Sequence, residues 1–267
     1  MNDFQFHRPA TVASAVSALQ KAAEGKYLSG GQSLLPVMKL GLAQPSDLVA
    51  LAGIGALSGI RIEGKELVIG AATTHAEVAA SPDVRKAIPA LADLALHIGD
   101  PQVRNRGTLG GSLAHNDPSA DYPAAVLALG ATVETDRRRI PADAYFQGMY
   151  QTALAPDELI TAVRFPVPEK AAYAKFPHPA SRFALVGVMV AKGPSGVRVA
   201  VTGAGPGVFR SAPLEKALTA RFSVDALAAV AVPASGLTSD PFGSAEYRAH
   251  LVGVMARRAV AACDSPR

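Results

Sequence analysis

Two glycine-rich stretches hold most of the residues able to do chemistry. In the longer, Ile98 to Pro123, glycines are interspersed with Arg104, Asn105, Arg106, Thr108, Ser112 and the aspartates 100, 117 and 121. A polar connection of this length between two apolar helical patterns reads as a structureless, functional loop. Its glycines let backbone amides approach and turn toward a ligand. Thr108 and Ser112 add hydroxyl donors, and Asp121 can accept from a ribose hydroxyl. The shorter stretch, Ser29-Gly30-Gly31-Gln32-Ser33-Leu34, follows Tyr27-Leu28 and runs into a helical pattern. Strand, glycine turn and helix start bring unpaired amides together on a phosphate. Two such loops can grip one diphosphate from both sides, which predicts a nucleotide site.

Other chemistries fit less well. Neither stretch matches the phosphate pattern GxxxxGK[ST]. Gly203-Ala204-Gly205-Pro206-Gly207 follows a strand, but Pro206 breaks the dinucleotide fingerprint and the run reads as a turn. His75 opens a helix among alanines, which leaves capping, surface exposure and contact with a cofactor ring all open. His115-Asn116-Asp117 has no further ligands at fitting spacing, so no metal is expected. No serine or cysteine stands in a nucleophile context. A cofactor cradle without evident acid–base apparatus leaves the reaction to the cofactor.

The elements that must position these loops follow from pattern. The chain has 267 residues, 49% hydrophobic and 18% charged, enough for a substantial core in two or three lobes. Phe4 to Pro9, Tyr27-Leu28 and Asp47 to Leu51 read as strands, with a helix capped by Thr11 and a short helix from Leu34 between them. A hairpin turning at Glu63-Gly64 comes next, then a helix with the capping box Thr74/Glu77 and an apolar helix from Ile88 to Ile98. Pro123 to Leu129 is helical, and Ala131 to Thr135 and Leu159 to Phe165 are strands of the same lobe. Past Pro166 to Lys170, strands at Lys175-Phe176, Leu185 to Val190 and Val197 to Val201 predict an antiparallel sheet, with helices at Ala212 to Ala220 and Ala245 to Ala262. The divisions are 1–56, 57–167 and 168–267.

The net charge of +4 is dispersed; Arg137-Arg138-Arg139 reads as a solvated turn, and no basic face suits nucleic acid. One cysteine, Cys263, excludes a disulfide or a cysteine-ligated iron–sulfur cluster within the chain. Neither a signal peptide nor a membrane span is legible, and a cytoplasmic protein is expected.

At the two loops the chain resembles the FAD-binding medium subunit of the molybdenum hydroxylases, the group containing carbon monoxide dehydrogenase and xanthine dehydrogenase. The likeness extends to Gly70 to His75, Gln147-Gly148 to Pro166, Lys175-Phe176 through Ala184, and Ser244 to Arg248. Leu109 replaces the commoner isoleucine, and Gly41 sits where a long or basic residue is usual. The resemblance implies an α+β protein, with a vanillyl-alcohol-oxidase-type FAD-binding fold of two α/β lobes followed by a C-terminal lobe with a small antiparallel sheet. It implies that Gly30, Gly31, Gln32 and Ser33 hold the FAD diphosphate, with Thr108, Gly110, Gly111 and Ser112 gripping from the other side and Ser29, Leu34 and Asn105 also binding the cofactor. Asp121 would take the ribose or adenine end, Ile98 and Ile160 would pack on the cofactor, and Lys175 and His75 would lie near the flavin. It further implies partners: a large molybdenum-cofactor subunit and a small [2Fe–2S] subunit, in a dimer of heterotrimers. A stand-alone flavin oxidase and a non-catalytic assembly protein of the same fold are the alternatives.

Overall fold

The computed structural model describes residues 3–194 and 196–263. Strands β1 (Gln5–His7), β2 (Gly25–Leu28) and β3 (Asp47–Ala50) form a parallel sheet in the order β1-β3-β2. Helix α1 (Val12–Lys21) links β1 to β2, and Thr11 caps it by accepting from the Ser14 amide. Its buried face, Ala15 and Leu19, packs on Val49 and Leu51 of the third strand and its continuation. Helix α2 (Leu34–Lys39) links β2 to β3.

The second lobe is built on β4 (Ile60–Glu63), β5 (Glu66–Gly70), β6 (Thr132–Thr135), β7 (Arg139–Pro141) and, after the small hairpin β8 (Phe146–Gly148) and β9 (Gln151–Thr152), β10 (Ile160–Pro166). The order β4-β5-β10-β6-β7 is antiparallel throughout. Glu63 pairs with Glu66, so the first hairpin turns at Gly64-Lys65 and not at Glu63-Gly64. Gly64, at φ +62, supplies the left-handed residue that such a tight turn needs.

Between β5 and β6 lie α3 (His75–Ala80), α4 (Pro82–Ala87), α5 (Pro89–Leu96), α6 (Pro101–Arg104), α7 (Leu109–His115) and α8 (Tyr122–Ala128); α9 (Ala142–Tyr145) follows β7. The apolar helix expected from Ile88 runs only from Pro89 to Leu96, because Pro89 starts a new helix after α4. The long loop is not structureless either. Asp100 accepts from the Val103 amide and Thr108 from the Gly111 amide, and each cap starts a short helix. Each arginine of the triplet is ion-paired: Arg137 with Asp157 and Asp136, Arg138 with Glu158, Arg139 with Glu134.

Strands β11 (Lys170–Pro177), β12 (Ala184–Gly193), β13 (Gly196–Thr202) and β14 (Phe209–Arg210) make the C-terminal antiparallel sheet, followed by α10 (Ala212–Ala220) and α11 (Ala245–Cys263). Alternate residues of β12 serve two cores. Val186, Val188 and Val190 face α10 and α11, while Met189 and Ala191 join the core of the second lobe. This period-2 division buries the strand on both faces and presses the sheet against the second lobe. Arg248 of α11 reinforces it, donating to the Leu185 and Gly203 carbonyls at 2.8 Å each and to Asp240 at 2.7 Å.

Candidate cofactor site

The two glycine loops meet. At Gly30 an added Cβ would stand 2.7 Å from both Arg106 C and Gly107 Cα, and closer still to the Arg106 carbonyl oxygen. Only a residue without a side chain allows the backbones to approach this far. Beside this contact Ser29 Oγ and Thr108 Oγ1 are hydrogen-bonded at 2.8 Å. Gly31, at φ +73, turns the chain from β2 into α2. Among the described residues, the backbone amides of Gly30, Gly31, Gln32 and Ser33 have no acceptor within the chain. Successive free amides beside a left-handed residue form a concavity suited to an anion.

The opposite loop contributes differently from expectation. The Gly110 amide donates to Ala71 O at 2.8 Å, the Gly111 amide to Thr108 Oγ1 at 3.1 Å, and the Ser112 amide to Thr108 O at 3.0 Å. The helix start and the neighbouring Ala71 carbonyl consume these donors, so this side offers hydroxyls and not these amides. The Ser29–Thr108 pair uses one hydroxyl hydrogen in its mutual bond and leaves the other for a ligand. Ser112 Oγ has no partner among the described residues. Gly111 borders the gap, since a Cβ there would stand 2.8 Å from Thr108 Oγ1 and 3.8 Å from Ser29 Cβ. Gly110 faces inward, where a Cβ would meet that of Ala71 at 2.6 Å, so its smallness serves packing.

His75 is buried, which rules out the surface reading. Its amide donates to Gly107 O at 2.9 Å, and a Cβ on Gly107 would lie 2.5 Å from its Nε2. Its ring lies 5.3 Å from that of Tyr122, and both His75 Nδ1 and the Tyr122 hydroxyl are buried without a partner among the described residues. Burial, and secondarily the Arg104 charge, holds its pKa down at about 4, so the imidazole is neutral near pH 7. Asn105 is exposed and its Nδ2 donates to Pro101 O at 2.8 Å, closing its own helical turn. Leu34 and Ile98 are half-buried; Ile160 is buried at the start of β10.

Asp121 and Lys175 were expected at opposite ends of the cofactor, and the structure joins them. Lys175 Nζ donates to Asp121 Oδ2 and to His97 O, each at 2.9 Å, while the Tyr173 hydroxyl donates to Asp121 Oδ1 at 2.5 Å. Both charged side chains are about 95% buried. Burial pushes the Asp121 carboxyl up and the neighbouring Lys175 charge pulls it back. Each Asp121 oxygen thus already accepts one hydrogen bond within the chain and keeps a further lone pair.

Tyr173 went unnoticed in the sequence, although it lies two residues before Lys175 on a strand and must therefore share its face. Asn116, weighed in the sequence only as part of a metal triplet, has a structural role. It ends α7 at φ 48, and its Nδ2 donates to Gly148 O at 2.9 Å and Gln151 O at 2.8 Å, latching the β8–β9 hairpin to the central loop. An Asn after a helix and before Asp-Pro is a legible left-handed cap. The C-terminal sheet holds the next residues: Thr202 Oγ1 donates to Ala120 O at 2.7 Å and the Gly203 amide to Pro118 O at 2.8 Å.

A diphosphate fits this arrangement, given four free amides, unengaged hydroxyls and a gap that a single Cβ would fill. Among the described residues no three His, Cys, Asp or Glu side chains are grouped to hold a metal.

Comparison with known proteins agrees. Residues 2–168 match the family described as FAD binding domain in molybdopterin dehydrogenase. The chain is 38% identical to the carbon monoxide dehydrogenase medium chain of Hydrogenophaga pseudoflava over 278 residues, covering 96% of each. It is 39% identical to the nicotine 6-hydroxylase medium subunit of Paenarthrobacter nicotinovorans, covering 96% of this chain and 95% of that one. Among solved structures, reconstituted CO dehydrogenase from Oligotropha carboxidovorans superposes with TM-score 0.89 at 36% identity over 98% of both chains. Quinoline 2-oxidoreductase from Pseudomonas putida 86 superposes with TM-score 0.88 at 28% identity, over 98% of this chain and 97% of that one. The chain belongs to the family of FAD-binding subunits of molybdopterin dehydrogenases.

Proposed function

We propose that this chain is the FAD-carrying electron-transfer subunit of a molybdenum-containing hydroxylase of the carbon monoxide dehydrogenase type, taking electrons from [2Fe–2S] clusters on a partner and passing them to an external acceptor. The observation that carries the reading is the row of unpaired amides at Gly30 to Ser33, set directly against the central loop. Those amides and the hydroxyls of Ser29, Thr108 and Ser112 bind the diphosphate. Leu34 and Ile98, both half-buried, offer apolar surface to the rings, and the Asp121–Lys175 pair closes one end. FAD, when bound, supplies the exchange between two-electron and one-electron chemistry.

The chain's residues bind and orient the cofactor, and none is required to move a substrate proton. Units 1–56 and 57–167 enclose the cofactor, while 168–267 braces the central loop from behind. With Cys263 its single cysteine, the chain cannot ligate clusters, so a small [2Fe–2S] subunit and a large molybdenum-cofactor subunit complete a heterotrimer, itself doubled. No helix among the described residues is long and apolar enough to cross a membrane, which is compatible with a cytoplasmic complex.

The test is co-expression with the neighbouring reading frames, followed by purification and flavin analysis. One FAD per chain, released by acid and reduced within the complex by one of carbon monoxide, an aldehyde, a purine or an N-heterocycle, is expected. A complex without a flavin spectrum overturns the reading, and a flavin that survives acid precipitation favours the stand-alone oxidase.

A further inference from the structure

Residues of α3, α4, α5 and α6 border an open recess of about 210 Å³, lined by Ala76, Ala80, Arg85, Leu96, Arg104 and Asn105, among others. Both arginines are fixed by carbonyl groups and not by acids. Arg85 Nε donates to Ala79 O at 3.0 Å, and Arg104 Nη1 donates to Ile98 O at 3.0 Å. Among the described residues neither is ion-paired to a carboxylate. This contrasts with Arg137, Arg138, Arg139 and Arg164, each of which meets at least one acid.

A guanidinium pinned through one nitrogen keeps its other donors oriented for an oxyanion at little further loss of rotamer freedom. Asn105, proposed from sequence for the nucleotide, lines this cavity instead. Alanines 76, 79 and 80 with Leu96 and Pro101 make the rest apolar. His75, just beneath, already feels the Arg104 charge, with no acid offsetting it.

Size decides the ligand class. Pockets for drug-sized molecules run from roughly 300 to 1,000 Å³, so a recess of about 210 Å³ suits a small ligand. We infer that this cavity is a second binding site, distinct from the FAD cleft, for a small organic anion: one carboxylate or phosphate held between Arg85 and Arg104, with an apolar body of about one ring against the alanine face. Its existence does not depend on the flavin reading. Because Arg104 belongs to α6, the first turn of the central loop, an anion there ties α4 to that loop.

The test is calorimetric titration of the full chain, purified with its flavin and any co-purifying partners, using benzoate and inorganic phosphate at fixed ionic strength. Saturable binding, one per chain, is expected for at least one probe. The tighter probe identifies the headgroup: benzoate points to carboxylates with an apolar body, phosphate to phosphate-bearing ligands. Arg85→Gln should weaken binding tenfold or more. Ala80→Glu, which sets a competing carboxylate at the exposed rim while keeping both arginines, should abolish it. The flavin absorbance of both variants should match wild type, which separates loss of the site from loss of the fold or of FAD. No saturation by either probe at about ten times a millimolar Kd, or affinities unchanged in both variants, overturns the inference.

Discussion

Replacing Gly30 by alanine tests the meeting of the two loops. The new Cβ would stand 2.7 Å from Arg106 C and Gly107 Cα, with the Arg106 oxygen nearer still. These are backbone atoms, so no side-chain rotation relieves the clash and the lobes must part by roughly an ångström, whereas carbon–carbon contacts settle near 3.5–4.0 Å. Without cofactor the parting is tolerated. With the diphosphate bound across the gap it is opposed, so the strain appears as lost affinity. Overpacking of this kind costs about 1–3 kcal/mol, which corresponds to FAD binding weakened roughly 5- to 150-fold. Gly41→Ala is the internal control. That residue lies at φ +72 with nothing within 4 Å of its added Cβ, so the substitution should cost about 1 kcal/mol of stability and leave FAD affinity unchanged. Flavin fluorescence titration of the apo chain reads both. Equal FAD affinity in Gly30→Ala and wild type would refute the contact as a determinant of binding.

Three further outcomes follow from the packing around the site. The His75 imidazole titrates near 6.5 when unfolded and at about 4 when folded, so between those values the unfolded chain binds more protons; stability present above pH ~6.5 is lost as pH falls toward ~4, by up to about 3 kcal/mol. Urea unfolding across that range should show the slope, and His75→Gln should flatten it. Asp121→Asn strands a buried Lys175 and should cost about 3–5 kcal/mol, while Asp121→Leu with Lys175→Met should cost less than the two single changes summed; the same unfolding assay decides. Asn116→Ala removes two hydrogen bonds and leaves alanine at φ 48, at about 2–4 kcal/mol, and Asn116→Gly should recover only about 1 kcal/mol of that in thermal melts.

Local chemistry made much of this fold legible. Thr11 and the Thr74/Glu77 capping box fix their helices through neighbours three residues away, and the β12 valines announce a strand. The glycine loops were legible as a pair because their residue types are useless in a core yet too many for a turn. What could not be read depends on contacts distant in sequence. That Gly110 packs on Ala71 while Gly111 borders the gap is decided by the orientation of α7 against β5. The joining of Asp121 to Tyr173 and Lys175 needed the C-terminal sheet to fold back on the central loop. The caps at Asp100 and Thr108 were legible in principle, but the run of polar residues around them masked two short helices.

The most direct test of the account is a crystal structure of the chain with FAD. The account predicts diphosphate oxygens at hydrogen-bonding distance, about 3 Å, from the amides of Gly30 to Ser33, with a Ser29, Thr108 or Ser112 hydroxyl on the opposite side. A diphosphate bound away from those amides, or lobes whose Gly30–Arg106 contact is absent when FAD is in place, would contradict it.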